Sequence, residues 1–422
     1  MDCVASMIPL PGTFGVAPST GVSAIEKPRT ETTREVAATR LDFLDALRGI
    51  LAFWVLAGHT ALASGASLLI VNHATVAVDI FLFVSGFLMA YHFRLREERE
   101  PWSEPSTWLQ FYLRRYFRIA PAYYVILVFA LVFREPLHQS LYAVLAAYPP
   151  EWAGVIALTP DATPFDWGNV VSHFTFLFGF IPSYCSNSVL PDWSIALEMQ
   201  FYLALPFIML GFRRLGYVWA AALFLGLCAL FNQMLGVYLG ASPKPFGTFP
   251  EPTLLPLKLN CFVAGILIAE AYHWRALDIS RSIPLLLGAF TVATLGKEWY
   301  FLAACVASCV FLFRNDSGFE SNLMAPVHRV LASRFVSFLA VTSYGVYLAH
   351  NLILFPLAAH LLTKPAYQLL PPVIRFVFLL GVVTSLTYPL AYAIYRFIEN
   401  PGISLGQRLG YTFNDTLSFA CE

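Results

Sequence analysis

The chain has 422 residues, of which 58% are hydrophobic and only 12% carry a charged side chain. Soluble domains average about a quarter charged residues, so this composition indicates a protein whose main solvent is lipid. Lys plus Arg and Asp plus Glu number 26 each, and this balance gives no support to a nucleic-acid-binding class.

The first 40 residues have no sustained apolar run and predict a disordered tail in the cytoplasm. A transmembrane domain is predicted over 41–400, followed by a cytoplasmic C-terminal tail over 401–422. The stretch 170–181 is too short to cross a bilayer and predicts a re-entrant or interfacial helix. The predicted spans are 46–66, 75–93, 118–134, 194–212, 217–239, 255–273, 282–297, 299–314, 334–362 and 372–397.

The distribution of basic residues supports this set of about ten spans. With the N-terminus in the cytoplasm and alternating spans, 20 Lys and Arg residues fall in cytoplasmic segments and 6 on the other side. An excess of Lys and Arg in cytoplasmic loops is the positive-inside rule. The predicted fold class is therefore all-α, a polytopic membrane protein with both termini in the cytoplasm.

The first span carries the most informative pair of polar residues, Arg48 and His59. Their separation of eleven residues is three helical turns plus about 20°, so both side chains share one helix face. His59 would lie roughly 16 Å deeper in the bilayer than Arg48. An imidazole at depth can accept a proton from a hydroxyl, while the alternative is a structural histidine below an arginine that reaches the headgroups.

Further candidates are three arginines before the third span and a carboxylate inside the fourth. Arg115 and Arg118 are three residues apart and therefore neighbours on the surface of a helix, and Arg114 directly precedes Arg115. These arginines could bind phosphates or anionic lipid. Glu198 is an acidic side chain within a span, which is costly and therefore a functional hypothesis.

A polar stripe is predicted in the ninth span, where Ser343, Tyr347 and His350 are spaced four and three apart. His350 is a candidate substrate contact, and a structural histidine is the alternative. The seven cysteines show no CxxC pair or His/Cys spacing, so no metal ligand set is predicted.

Seven sequence segments, in this order along the chain, resemble the acyltransferase-3 family of integral membrane O-acyltransferases. The resemblance covers about Leu41 to Leu409. The segments are LDFLDALRGILAFWVLAGH, VDIFLFVSGFLMAY, FYLRRYFRIAPAYY, LPDWSIALEMQFYLALP, FVAGILIAEA, SYGVYLAH and FIENPGISLGQRL.

The resemblance implies transfer of an acyl group, often acetyl, from acyl-CoA as co-substrate to a hydroxyl acceptor, often on a sugar, without a permanently bound cofactor. Arg48 and His59 match the family's signature Arg and His, and Arg115 with Arg118 matches its donor-handling arginine pair. His59 is then a base or a transient acyl carrier. Glu198 lies in a further segment of the resemblance and is counted with the catalytic candidates. The resemblance also implies a multi-pass protein of a bacterial inner membrane.

A transporter or flippase for a carbohydrate or small molecule is the alternative function, because intramembrane charges also line substrate pathways. The sequence shows no pair of related halves with matching broken helices, which favours the acyltransferase. The acceptor stays open among lipopolysaccharide, exopolysaccharide, a lipid-linked glycan, a glycosylated metabolite and a hydroxyl outside a sugar.

Overall fold

The computed structural model describes residues 29–97, 100–148, 166–237, 244–275, 278–294, 299–313, 330 and 333–420, and these are almost entirely helical. The helices are α1 (Arg29–Ser64), α2 (Ala74–Arg96), α3 (Pro105–Val132), α4 (Arg134–Ala147), α5 (Trp167–Phe174), α6 (Trp193–Met234), α7 (Leu255–Trp274), α8 (Ile279–Thr294), α9 (Trp299–Phe313), α10 (Arg334–Leu362), α11 (Pro365–Gln368), α12 (Pro372–Ile394) and α13 (Asn400–Ala420). A 3₁₀ turn (Leu177–Phe180), a π-helical turn (Tyr395–Glu399) and a parallel pair of two-residue strands, β1 (Gly236–Val237) and β2 (Thr248–Phe249), complete the described elements.

Each of the ten predicted spans falls on a helix, which confirms an all-α polytopic membrane protein. Among the described residues, seven helical segments are long and apolar enough to cross a membrane. One of these is α6, which contains both the fourth and the fifth predicted span. Helices α8 and α9 match the two shortest predicted spans and have only 16 and 15 residues.

The chain forms two compact units, Met1–Thr39 and Arg40–Glu422. Residues 1–28 of the predicted N-terminal tail lie outside the described residues, and residues 29–40 are helical as the start of α1. This stretch contains Arg, Glu and Ala and has neither Gly nor Pro, which is compatible with a helix. The predicted C-terminal tail is also helical, as α13.

Helix α6 folds back on itself at Gly216, which has φ 76° and ψ 165°. The rings of Phe212 and Phe224 are 5.4 Å apart, whereas twelve residues of straight helix would separate them by about 18 Å. A residue with a side chain rarely adopts this positive φ, so glycine is what permits the turn. The two predicted spans are therefore the two arms of one helical hairpin.

Helices α2 and α7 cross so closely that glycines are required on both sides. A Cβ on Gly86 would lie 2.3 Å from the carbonyl oxygen of Phe262, and one on Gly265 would lie 2.1 Å from that of Phe83. Small residues at a helix crossing let the backbones approach in a membrane, where dispersion contacts and not the hydrophobic effect drive association. Around this crossing the rings of Phe201 and Phe262 stack at 3.9 Å.

The outer surface of the bundle is apolar, as lipid requires. Val218 and Trp219 are each 73% exposed, and Phe207 and Val377 are also largely exposed. Polar side chains such as His350 and Glu198 are instead buried. This inversion of the usual soluble pattern leaves the interior as the place where polar chemistry can occur.

Replacing Gly265 with Ala should destabilise the bundle, because the added methyl group meets backbone atoms that cannot rotate away. Overpacking of this kind costs about 1–3 kcal/mol. Thermal unfolding of the detergent-solubilised protein should show a lower midpoint for Gly265→Ala. Gly226→Ala is the matched control, since nothing lies within 4 Å of a Cβ there, and it should unfold no earlier than the wild type.

Candidate active site

A cavity lies among α1, α2, α6 and α10, and the space between atoms there is about 420 Å³ with its open mouth included. Leu51, Ala52 and Val55 form its wall on α1. These three residues occupy the helix face that also carries Arg48 and His59, which lie one turn before and one turn after them. The cavity therefore extends along α1 between the two predicted signature residues.

His59, at the far end of this helix face, is in contact with His350 of α10. The Nδ1 atom of His59 is 2.8 Å from the Nε2 atom of His350, and the two rings stack at 5.0 Å between centroids. His350 is completely buried, whereas His59 is partly exposed. Of the two imidazoles, only His59 is therefore open to a reactant.

Two buried guanidinium groups lie toward the other end of the cavity. The Arg48 guanidinium packs over the ring of Phe81, 5.1 Å from its centroid. Arg115 packs between the rings of Phe111 and Tyr202, at 5.9 and 5.7 Å. The Nε atoms of both arginines are buried and have no hydrogen-bond partner among the described residues. Buried donors of this kind are normally satisfied, so their position suits an anionic ligand.

Arg118 lies in the same charge cluster and interacts with Glu399, Glu198 and Arg48. Glu399 ends the π-helical turn and is 4% exposed, and its Oε2 atom has no hydrogen-bond partner in the described structure. Opposite charges this close offset part of the cost of burial. Asp45 also belongs to this cluster, since one of its carboxylate oxygens lies 3.9 Å from the Arg48 guanidinium. The cluster thus combines Arg48, Arg115 and Arg118 with three carboxylates.

Glu198 connects this cluster to the cavity wall that it lines. Its Oε1 atom accepts a hydrogen bond from the Tyr202 hydroxyl and a longer one, of 3.4 Å, from Ser85 Oγ. Ser194, one turn earlier on α6, lies 2.7 Å from the hydroxyl of Tyr347 across the cavity. The polar side of the cavity is therefore a continuous set of hydroxyl groups around one carboxylate.

Arg114 is paired differently from the other two arginines of its segment. Its guanidinium donates to both carboxylate oxygens of Glu100, at 2.6 and 3.2 Å, and to Gln110. It lines a second pocket, of about 330 Å³, together with His92 and Arg96. Arg115 lines this pocket as well, so Arg114 differs from it in being paired with a carboxylate and not in its location.

The predicted stripe on α10 is only partly a cavity surface. Ser343 and Tyr347 line the cavity, and Ser343 Oγ donates to the carbonyl of Ala340 at 2.8 Å. His350 lies beyond the cavity, against His59. Tyr202, Tyr344 and Glu399 also belong to the site and were not predicted, although all three lie in segments that carry the family resemblance.

A second polar group lies at the start of α6. The Tyr123 hydroxyl donates to Asp192 Oδ2 at 3.1 Å, and His173 Nε2 is 3.7 Å from the same oxygen. Burial raises the pKa of Asp192, and the nearby His173 opposes this shift. Nothing among the described residues forms a group of three or more His, Cys, Asp or Glu that could hold a metal ion.

The loop before α7 carries Glu251, whose pKa is raised to about 7 by burial, against the attraction of Lys258. Lys258 itself pairs with Asp79 of α2 at 2.7 Å. Glu251 also interacts electrostatically with Tyr347, so the loop lies near the hydroxyl side of the site.

Fold and site together define a polytopic helical membrane protein whose buried polar groups converge on one cavity. The chain belongs to the acyltransferase-3 family, because the profile of the family's acyltransferase domain matches residues 41–392. This match confirms the resemblance that the sequence motifs indicated. The described helices and this match together place an acyltransferase-family domain in a membrane protein.

Three curated relatives are each 24% identical to the chain. Peptidoglycan O-acetyltransferase OatA of Listeria monocytogenes aligns over 77% of this chain and 51% of its own length. Nose resistant to fluoxetine protein 6 of Caenorhabditis elegans aligns over 60% and 32%, and regulator of hypoxia-inducible factor 1 of the same organism over 41% and 34%. The chain thus spans about half or less of the length of these relatives. No solved structure gives a significant match.

The raised pKa of Glu251 predicts a pH-dependent stability. The folded protein holds this proton up to about pH 7, whereas the free carboxyl loses it near its ordinary value of 4.5. Stability should therefore fall as pH rises from about 4.5 to 7, by at most about 1.4 kcal/mol per pH unit. Glu251→Gln should flatten this dependence in detergent unfolding curves, while the exposed Glu135→Gln should leave it in place. Identical slopes for wild type and Glu251→Gln would contradict the assignment.

Proposed function

We propose that the protein transfers an acyl group, acetyl in the simplest case, from cytoplasmic acyl-CoA to a hydroxyl of a glycan or glycosylated acceptor. The observation that carries this proposal is the arrangement along α1, in which Arg48 lies one turn before and His59 one turn after the residues that line the cavity. Membership of the acyltransferase-3 family supports acyl transfer over the transporter alternative.

The donor would bind at the arginine end, which the distribution of basic residues assigns to the cytoplasm. Arg48, Arg115 and Arg118 offer positive charge to the phosphates of CoA. The pocket beside Arg115 suits the nucleotide part, because it combines His92, Arg96 and the ring of Trp102. The narrow, mostly apolar cavity then suits the extended thioester arm.

The chemistry follows from what the histidine end can do. His59 takes the proton of the acceptor hydroxyl as its oxygen attacks the thioester carbonyl. The new C–O bond forms, the C–S bond breaks, and the imidazolium returns the proton to the departing thiolate. Because a thioester is already activated, a base and correct positioning are sufficient for this step.

The glycan acceptor is supported by one relative, the peptidoglycan O-acetyltransferase of Listeria monocytogenes. The apolar exterior and the bacterial relative also support placement in a bacterial inner membrane. Glu198, Ser194 and Tyr347 offer acceptors and donors to a polyhydroxylated molecule at the cavity wall.

Removing the imidazole of His59 should abolish transfer while the protein still folds. Loss of a general base costs typically about 10²–10⁴ in rate. The measurement is mass spectrometry of O-acyl esters on surface glycans and secreted metabolites, in a deletion strain complemented with wild type or His59→Ala. His360→Ala is the matched control, because His360 is an exposed histidine near the end of α10. A normal content of O-acyl esters in the His59→Ala strain would contradict the mechanism.

The arginine end should control donor affinity and not the chemical step. Arg115→Ala should weaken acetyl-CoA binding by about 10- to 100-fold, since a hydrogen bond to a charged group contributes about 1.5–3 kcal/mol. Arg114→Ala should have a smaller effect, because Glu100 already neutralises that guanidinium. Calorimetric titration of the purified proteins with acetyl-CoA measures both. Equal losses for the two variants would contradict the distinction between the paired Arg114 and the unpaired Nε of Arg115.

A further inference from the structure

Hydrogen atoms can be arranged in only a few ways on the two ring nitrogens that meet between His59 and His350. At 2.8 Å between Nδ1 of His59 and Nε2 of His350, one nitrogen must donate and the other must accept. Two N–H groups would collide, and two lone pairs would repel each other. One hydrogen therefore lies between the rings, and the open question is which histidine carries it.

The second nitrogen of His350 answers this question. His350 Nδ1 is 2.9 Å from the backbone carbonyl oxygen of Val346, one turn earlier on α10. A carbonyl oxygen can only accept, so His350 Nδ1 carries a hydrogen. In a neutral imidazole the other nitrogen, Nε2, then has no hydrogen and carries a lone pair that can accept a hydrogen bond. His59 must be the donor, from Nδ1, and its own Nε2 is left without a proton.

Burial keeps this arrangement fixed. His350 is 0% exposed, so an imidazolium at this position would lose its hydration without a carboxylate among its hydrogen-bond partners. The ring also cannot turn over without giving up both contacts at once. The neighbouring Tyr347 hydroxyl is held by Ser194 and does not compete for either nitrogen.

Asn351, the residue after His350 on α10, also interacts with His59. Its Nδ2 donates to the carbonyl of Val189 at 2.9 Å, which fixes the amide with Oδ1 as the remaining polar atom. Oδ1 is buried and has no hydrogen-bond partner among the described residues, although the side chain interacts with His59. An amide oxygen beside His59 favours the charged ring that forms when His59 takes a proton.

We propose that His350 is a positioning residue that holds His59 in the tautomer with hydrogen on Nδ1, so that Nε2 is the atom that takes the acceptor's proton. This inference rests on the proposed acyl transfer for its consequence, but not for the tautomer itself. It also replaces the expectation that His350 contacts substrate, since the ring is enclosed behind His59. A catalytic histidine held in the wrong tautomer is a poor base. In a serine protease, a substitution with this effect lowers kcat about 10⁴-fold.

The test is nitrogen-15 NMR of the full chain with labelled histidine rings, in detergent or bilayers, with the His59 signals identified by their loss in His59→Ala. Wild-type protein should show His59 protonated at Nδ1 and unprotonated at Nε2. His350→Leu removes the acceptor and should shift His59 to the other tautomer or to a mixture. His350→Gln places an amide oxygen near the former Nε2 position and should restore the original signal in part.

Activity supplies the second readout. His350→Leu should lower kcat at least about tenfold with KM for acetyl-CoA unchanged, and His350→Gln should recover part of the loss. A raised KM with an unchanged His59 tautomer would overturn the proposal in favour of substrate contact. Protonation of His59 at Nε2 in the wild type would overturn it outright, even if both His350 variants failed to fold.

These outcomes are distinct from failure of the proposed function. If His59→Ala kept full transfer activity while the wild-type spectrum showed the Nδ1 tautomer lost in His350→Leu, the positioning by His350 would stand and the general-base mechanism would fall. His360→Leu, a variant of an exposed histidine on the same helix, should change neither the His59 signals nor kcat.

Discussion

The cost of placing charge inside hydrocarbon is the constraint from which the organisation of this bundle follows. Arg48 and Arg118 come from two different helices, yet both interact with Glu198, and Arg115 lies near Arg118. An isolated guanidinium would be costly inside the bundle, and the neighbouring carboxylates offset part of that cost. The guanidinium groups of Arg48 and Arg115 also pack on aromatic rings, which gives further favourable interactions. These rings belong to Phe81, Phe111 and Tyr202.

The compensation is incomplete, and this is what makes the cluster suited to a ligand. The Nε atoms of Arg48 and Arg115 remain without hydrogen-bond partners among the described residues. The oxygen atoms of a phosphate group would supply acceptors for these donors. The apolar cavity that begins one turn away on α1 can then accept the uncharged remainder of the same molecule.

Much of the fold could be predicted from the sequence, because bilayer thickness and helical rise fix how long an apolar span must be. The shared face of Arg48 and His59 followed from helical period alone. The pairing of His59 with His350 could not be predicted from the sequence, because the two residues are 291 positions apart and meet only when α1 packs against α10. The role of Arg114 was also hidden, since only the fold brings Glu100 against it.

The C-terminal segment was predicted as a tail because it contains no long apolar run, although Gly402, Gly406 and Gly410 recur every four residues. Such spacing places the glycines on one helix face, where they meet α3 at Phe117 and Gln110. The helix that fixes the backbone of the arginine-bearing α3, together with Glu399 just before it, is thus made after α10 and α12. During synthesis the arginine end of the cavity must therefore remain incomplete until these later segments have been made.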